Sequence, residues 1–387
     1  MMLGFPSRKA DKRTLIVLIV AALLFFGVRA LVAPERDAAP PAGDYAEYEN
    51  GRVTEILSDT TEQDPVSDGA YRGEQMLLVE VTTGQYAGET LLVYNYVAPL
   101  YGVPLAAGDG CTLIVSTYDG GEHRATVFEY DRSWAVLALL AAFFLVTVLV
   151  GGRTGAKSLL GLAFTVLCVF YLLFPALLRG APTLPSVFLL CVYVAAVCFA
   201  LLGGVEKKTV CALLGTVCGT GLALLFTLLA QAVLRVDGLR GPDVEPLLQL
   251  RQTGTPIGLS GLLAAGVVIA ALGAVMDVSM SLSSALAEVH AANGALGRRE
   301  LFRSGMNIGR DLVGTMTNTL ILAFLGSSLV LVLYIYTLSP DRHQLMSSAY
   351  LAIEAASGIS SSIGVILSVP ITAAIGAFAF GGRDNAA

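Results

Sequence analysis

"KKTVCALLGTVCGTGLALLFTLLAQAVLR" (207–235) opens on two lysines and then carries no charge until its closing arginine. Its interior, 209–234, exceeds the roughly 20 apolar residues that a helix needs to cross a bilayer's hydrocarbon core. Lysines gather on the cytoplasmic side of a span, so Lys207 and Lys208 set its direction. Gly215 and Gly219 inside it form a GxxxG pair, a helix-packing contact.

Seven further runs share this character: 14–33, 134–150, 158–178, 186–202, 257–276, 312–336 and 355–380. Across the 387 residues 55% are hydrophobic and 14% charged, more apolar surface than a water-soluble fold can bury. The expected fold class is an α-helical polytopic membrane protein of about eight spans. Arg8, Lys9, Lys12, Arg13, Arg153, Lys157, Lys207, Lys208, Arg298, Arg299, Arg303, Arg310 and Arg383 fall in the leader, alternate loops and tail. That bias predicts both termini inside. The first span reads as an uncleaved anchor, because Pro34 stands where a signal peptide would be cut.

The charge is unevenly spread. Residues 34–132 hold 18 acidic and 5 basic side chains, and the remainder holds 12 and 19, which recovers the net −6. The acidic part begins with a Pro/Ala linker (34–50). Short β-rich runs follow at 51–57, 74–83, 89–96, 111–118 and 124–131, separated by glycines, with "TYDGGEH" (117–123) as a hairpin signal. Five such strands predict a small barrel or sandwich of the OB or SH3-like kind, outside the membrane. An oligonucleotide-binding face would be basic and aromatic, so a net −13 argues against nucleic acid. A cap or protein-contact module remains, with cation gathering as the other reading. The domain plan is therefore leader and anchor (1–33), linker (34–50), β-rich domain (51–132), a seven-helix bundle (133–382) and a tail (383–387).

Soluble-enzyme signatures are missing. "GGRTGAKS" (151–158) imitates a phosphate loop, but Ala156 separates Gly155 from Lys157 and the segment joins two spans. "GLSGL" (258–262) lacks the spacing of a nucleophile elbow. The six cysteines and three histidines show no metal-ligand spacing, so no metal, cofactor or enzymatic activity is expected.

Two segments carry polar rows. Asp277, Ser281, Ser284 and Glu288 stand at i, i+4, i+7 and i+11 and share a helix face. Asn307, Asp311, Gly314 and Asn318 repeat that spacing, flanked by Arg310 and Thr315. The linker 292–301 predicts an antiparallel pair, placing Asp277 opposite about residue 315 and Glu288 opposite Ser304 or Gly305, with Arg303 within reach. A carboxylate at membrane depth costs roughly 2.5–3.5 kcal/mol, so it faces a partner or a water-filled cavity. The rows are thus candidate sites for a cation, a proton or another substrate; helix packing is the other reading. A smaller line on the last span holds Glu354 and Ser361, with Pro370 beyond.

With these residues in view, the chain resembles the YibE/F family of bacterial multi-pass membrane proteins. "LGAVMDVSMSLSSALAEV" (272–289), "SGMNIGRDLVGTMTNTLILAF" (304–324) and "SSIGVILSVPITAAI" (361–375) carry the resemblance. The sequence departs from it at "HAANGALGRREL" (290–301), a loop. The resemblance implies an anchor, an extracytoplasmic β-rich segment and a multi-span bundle. It marks Asp277, Arg310, Asp311 and Asn318 as motif positions, implies a membrane or transport role, and assigns no substrate. A non-transporting scaffold, whose acidic outer domain docks a protein partner, is the alternative.

Overall fold

The computed structural model describes residues 8–32, 45–117, 123–237, 244–252, 254–259, 261–337 and 341–382. The chain divides into two compact units, Met1–Pro34 with Val150–Ala387, and Glu35–Leu149. The second unit takes in the run 134–149 as well as the β-rich domain, and so ends partway along the helical stretch that begins at Ser133. Part of the expected linker, the hairpin tip 118–122 and the tail from Arg383 lie outside the described residues.

The β-rich domain is a closed barrel. Its strands are β1 (Tyr45–Asp59), β3 (Tyr71–Val81), β4 (Thr90–Val97), β5 (Gly110–Thr117) and β6 (His123–Tyr130), with a two-residue β2 (Glu62–Gln63) on β3. The order β1-β5-β6-β4-β3 closes through a β1–β3 pairing, and β4–β6 is the one parallel pair. That is the OB arrangement of the two expected, and each expected strand is present within a few residues. Closure depends on β1, which pairs β5 with Tyr45–Arg52 and β3 with Gly51–Asp59. Two register shifts bend its second half, as bulges do at barrel corners. Gly51 belongs to both pairings, and a Cβ there would stand 2.5 Å from Val79 Cγ1.

Alternation fills the interior with Val53, Leu77, Val79, Val81, Val93, Leu113 and Val115. Cys111 is buried there, and burial pushes its thiol up to about 11, well away from nucleophilic use. One polar network shares the core. Gln75 Nε2 donates to Asp59 Oδ2 (2.9 Å) and Leu105 O (3.1 Å). Its Oε1 accepts from Asn95 Nδ2 (2.9 Å) and Leu105 N (2.8 Å).

The other unit is built of long apolar helices. α1 is Arg8–Val32; α2 (Ser133–Cys168) runs through a π-type turn (Val169–Leu173) into α3 (Phe174–Leu178). Pro175 lacks the N–H that would continue the ladder, which fits the local widening. Next come α4 (Thr183–Gly203), α5 (Lys207–Leu234), the short α6 (Glu245–Gln252) and α7 (Leu262–Ala292). The last elements are α8 (Arg298–Ser327), α9 (Leu329–Thr337), α10 (Arg342–Met346) and α11 (Ala349–Phe380).

Among the described residues six helices are long and apolar enough to cross a membrane, or seven when α8 and α9, bent by 61°, count as one broken span. The runs 134–150 and 158–178 lie on either side of a break at Gly152, within one 46-residue stretch, Ser133–Leu178, that counts once among these helices. The expected loop 151–157 is helical, with a break at Gly152, whose φ of 55° needs a glycine. α1 packs on α4 through Tyr193, whose hydroxyl donates to Ala21 O at 2.6 Å, and Arg29 lies 4.6 Å over the Tyr171 ring.

Replacing Gln75 with Ala strands the Asn95 amide and the Leu105 N–H, a loss of roughly 1–3 kcal/mol to the barrel. Limited proteolysis of the full chain on heating should cut the barrel segment at a lower temperature than in the wild type. The barrel should also weaken in acid. The Thr61 hydroxyl and N–H, joined by Gln75, hold the Asp59 carboxyl below its ordinary 3.8. A depressed carboxyl stabilises the fold above its unfolded value, and that share is lost as pH falls through the folded one. The same proteolysis repeated down a pH series checks it.

Candidate functional site

The expected rows face outward. On α7, Val275, Val278, Leu282 and Leu286 are buried, and Asp277, Ser281 and Glu288 lie exposed beside them, with Ser284 half-buried. On α8 the buried line is Leu301, Gly305 and Gly309. Gly305 sits against Ala373 and Leu286, and Gly309 against Val369, so α8 packs chiefly on α11. At 100° per residue Asn307, Asp311, Gly314 and Asn318 fall on the opposite side of α8. All four are exposed, as are Arg310 and Thr315.

The expected juxtaposition of the two rows is therefore corrected: Asp277 does not meet the α8 row, and Glu288 does not meet Gly305. Leu286, not Glu288, takes the place beside Gly305. Apolar side chains claim the contact faces because they lose most by exposure, and the polar rows are left over. Contacts along α8 are local. Arg310 Nη1 donates to Asn307 Oδ1 (3.4 Å), and Thr315 Oγ1 to Asp311 O (3.3 Å) and Leu312 O (3.1 Å). Among the described residues no ion pair joins Asp277, Glu288, Arg303, Arg310 or Asp311.

The polar groups that the fold does bring together lie on α5, α7 and α11. Thr209, Thr216, Thr220 and Thr227 are all buried on α5, and their spacing of 7, 4 and 7 residues keeps them on one side. Ser279 and Ser283 are buried on α7. Ser357, Ser361, Ser368 and Thr372 are buried on α11, with Glu354 half-buried one turn ahead of them. Eighteen residues separate Thr209 from Thr227, about 27 Å of helix and close to the thickness of a hydrocarbon core.

Glycines let these helices approach. A Cβ on Gly215 would stand 2.0 Å from Thr372 Oγ1, one on Gly219 2.7 Å from Val275 Cγ1, and one on Gly364 2.6 Å from Ala223 Cβ. The GxxxG pair is thus the packing contact that its spacing predicts. Thr372 Oγ1 donates to Ser279 Oγ at 3.3 Å, and Ser283 Oγ to Lys208 O at 2.6 Å. Thr220, Thr227 and Ser357 return their hydroxyls to carbonyls one turn back. The hydroxyls of Thr209, Thr216 and Ser361 are buried and find no partner among the described residues. Such groups are few in native proteins, and each calls for a physical reason.

Glu354 stands where this seam meets a cleft of ≈ 200 Å³. The cleft is lined also by Ile321, Phe324, Ser328, Val332, Leu351 and Gly358, at the break between α8 and α9. Ser361 follows seven residues on, and Ser368 and Thr372 continue the same line. The spacing of Glu354 and Ser361 was legible; the threonines of α5 were not singled out, although their 7, 4, 7 spacing is a helix-face signal of the same kind. Among the described residues no three His, Cys, Asp or Glu side chains gather as a metal site.

Two glycine substitutions test the seam against the outward face. Gly219→Ala overpacks Val275 and Ser368 and should cost roughly 1–3 kcal/mol. Gly314→Ala enters open space and should stabilise by about 1 kcal/mol through helix propensity. Thermal unfolding in detergent reads both.

Comparison with known proteins matches the family model described as YibE/F-like protein over residues 139–382, well over half of the chain. No curated protein and no solved structure matches the chain. With a bundle of span-length apolar helices behind that match, the chain belongs to the YibE/F-like family and is a membrane protein.

Proposed function

We propose that the chain is a permease of a bacterial cytoplasmic membrane, and that its path follows the α5–α7–α11 seam. One observation carries the reading: a single face of α11 leads from Glu354, in the cleft at the α8–α9 break, to Ser357, Ser361, Ser368 and Thr372. A carboxylate followed by hydroxyls, two of the facing ones unpartnered, is a set of oxygen ligands for a cation or a proton-coupled solute. Broken helices beside such ligands recur in secondary transporters, where freed backbone carbonyls join the site. The close glycine contacts describe the seam shut.

Lys and Arg bias puts both termini inside and the acidic barrel outside. The same bias assigns Glu354 to the outer end of α11. The rows holding Asp277, Ser281, Ser284, Glu288, Asn307, Arg310, Asp311, Thr315 and Asn318 join the path only where another surface closes over them. The same outward rows favour a second reading, a scaffold that docks a protein within the membrane.

Flux of the purified chain in liposomes, measured over a panel of monovalent and divalent cations and protons, tests the proposal. Glu354→Gln and Ser361→Ala should each lower flux roughly tenfold, the scale of one lost ligand contact. Unchanged flux in both variants would overturn the path, and absence of flux for every ion would leave the scaffold as the better reading.

A further inference from the structure

We infer that the first half of α8 holds the phosphate headgroup of an anionic phospholipid. Arg299, Arg303 and Arg310 stand at i, i+4 and i+11, together on the side of α8 away from Leu301, Gly305 and Gly309. They line one cleft of ≈ 680 Å³ with Phe302, Met306 and Asn307. This inference stands apart from transport and holds whether or not the seam conducts.

Three observations support a headgroup there. The first is charge. Among the described residues none of the three guanidiniums has a carboxylate within ion-pair distance, and Arg310 makes only a long bond to Asn307. Glu300, the acid in the cleft wall, is engaged by the Gly297 N–H at 3.2 Å. Arg299 and Arg303, one turn apart and without a carboxylate partner, suit an oxyanion, and their planar forks fit phosphate oxygens.

The second is depth. Gly305 and Gly309 touch Ala373 and Val369 of α11, whose stretch from Ala355 to Phe380 carries no charge. Arg299 and Arg303 therefore emerge beside the end of that apolar stretch, where lipid phosphates lie, and Arg310, level with Val369, stands further along it. The third is the mixed wall. Phe302 and Met306 flank the arginines and offer apolar surface to the glycerol and upper acyl carbons, which a free phosphate could not use. Basic clefts beside spans on the cytoplasmic face bind anionic headgroups in this way.

The test uses the full chain in mild detergent, titrated with phosphatidylglycerol or phosphatidylcholine and read by native mass spectrometry for retained lipid. The wild type should retain phosphatidylglycerol in preference. Arg299→Gln with Arg303→Gln should weaken that retention roughly thirtyfold. Arg299→Lys with Arg303→Lys should keep most of it, and Lys207→Gln with Lys208→Gln should leave it unchanged. If the double Gln variant fails to fold, Arg299→Gln alone, at an exposed position, carries the comparison with a smaller loss in the same direction. Equal retention of both lipids, or an equal loss in the Lys207/Lys208 variant, would show general charge attraction and overturn the site. Displacement of the lipid by equimolar inorganic phosphate would overturn the lipid and leave a free-anion site.

Discussion

Everything in the helical unit depends on how closely α5, α7 and α11 approach. Inside a bilayer no hydrophobic force draws apolar helices together, so contact must come from packing and hydrogen bonds between small residues. Gly215, Gly219 and Gly364 supply that approach, and a methyl group at any of them would meet its neighbour at 2.0–2.7 Å. The approach brings buried hydroxyls face to face, as at Thr372 and Ser279. α4 and α8 then pack on the outside of this trio.

That arrangement also decides where polarity goes. Hydroxyls tolerate burial because a serine or threonine can return its donor to the carbonyl one turn back. Carboxylates and guanidiniums have no such refuge and stay on outward faces unless a partner is supplied. Asp277, Asp311 and Arg310 are accordingly exposed, and Ser279, Ser361 and Thr372 are buried. The unpartnered hydroxyls of Thr209, Thr216 and Ser361 are the exception within the seam among the described residues, and they are what a purely structural contact would not need.

Much of this was legible in the sequence, for identifiable reasons. Hydropathy located the spans because a charge-free run of membrane length has few other uses, and the join it expects at 151–157 shows as a break at Gly152 inside one helical stretch. β-rich runs between glycines located the five barrel strands, and the first half of β1, which pairs β5, was hidden in a stretch that reads as linker. The rows on α7 and α8 were correctly spaced but wrongly faced. Spacing says which residues share a side of a helix, not which side its neighbours occupy. The threonines of α5 escaped notice because hydroxyls barely register on a scale that weighs charge first.

Cysteine cross-linking tests most directly whether the polar interior lies in the seam. In a cysteine-free background, Ser279→Cys with Thr372→Cys replaces hydroxyls 3.3 Å apart, a separation that mild oxidation can bridge. The account predicts efficient disulfide formation for that pair and none for Asp277→Cys with Thr315→Cys, the pairing that antiparallel counting implies. Cross-linking of Asp277→Cys with Thr315→Cys, and none between Ser279→Cys and Thr372→Cys, would contradict it.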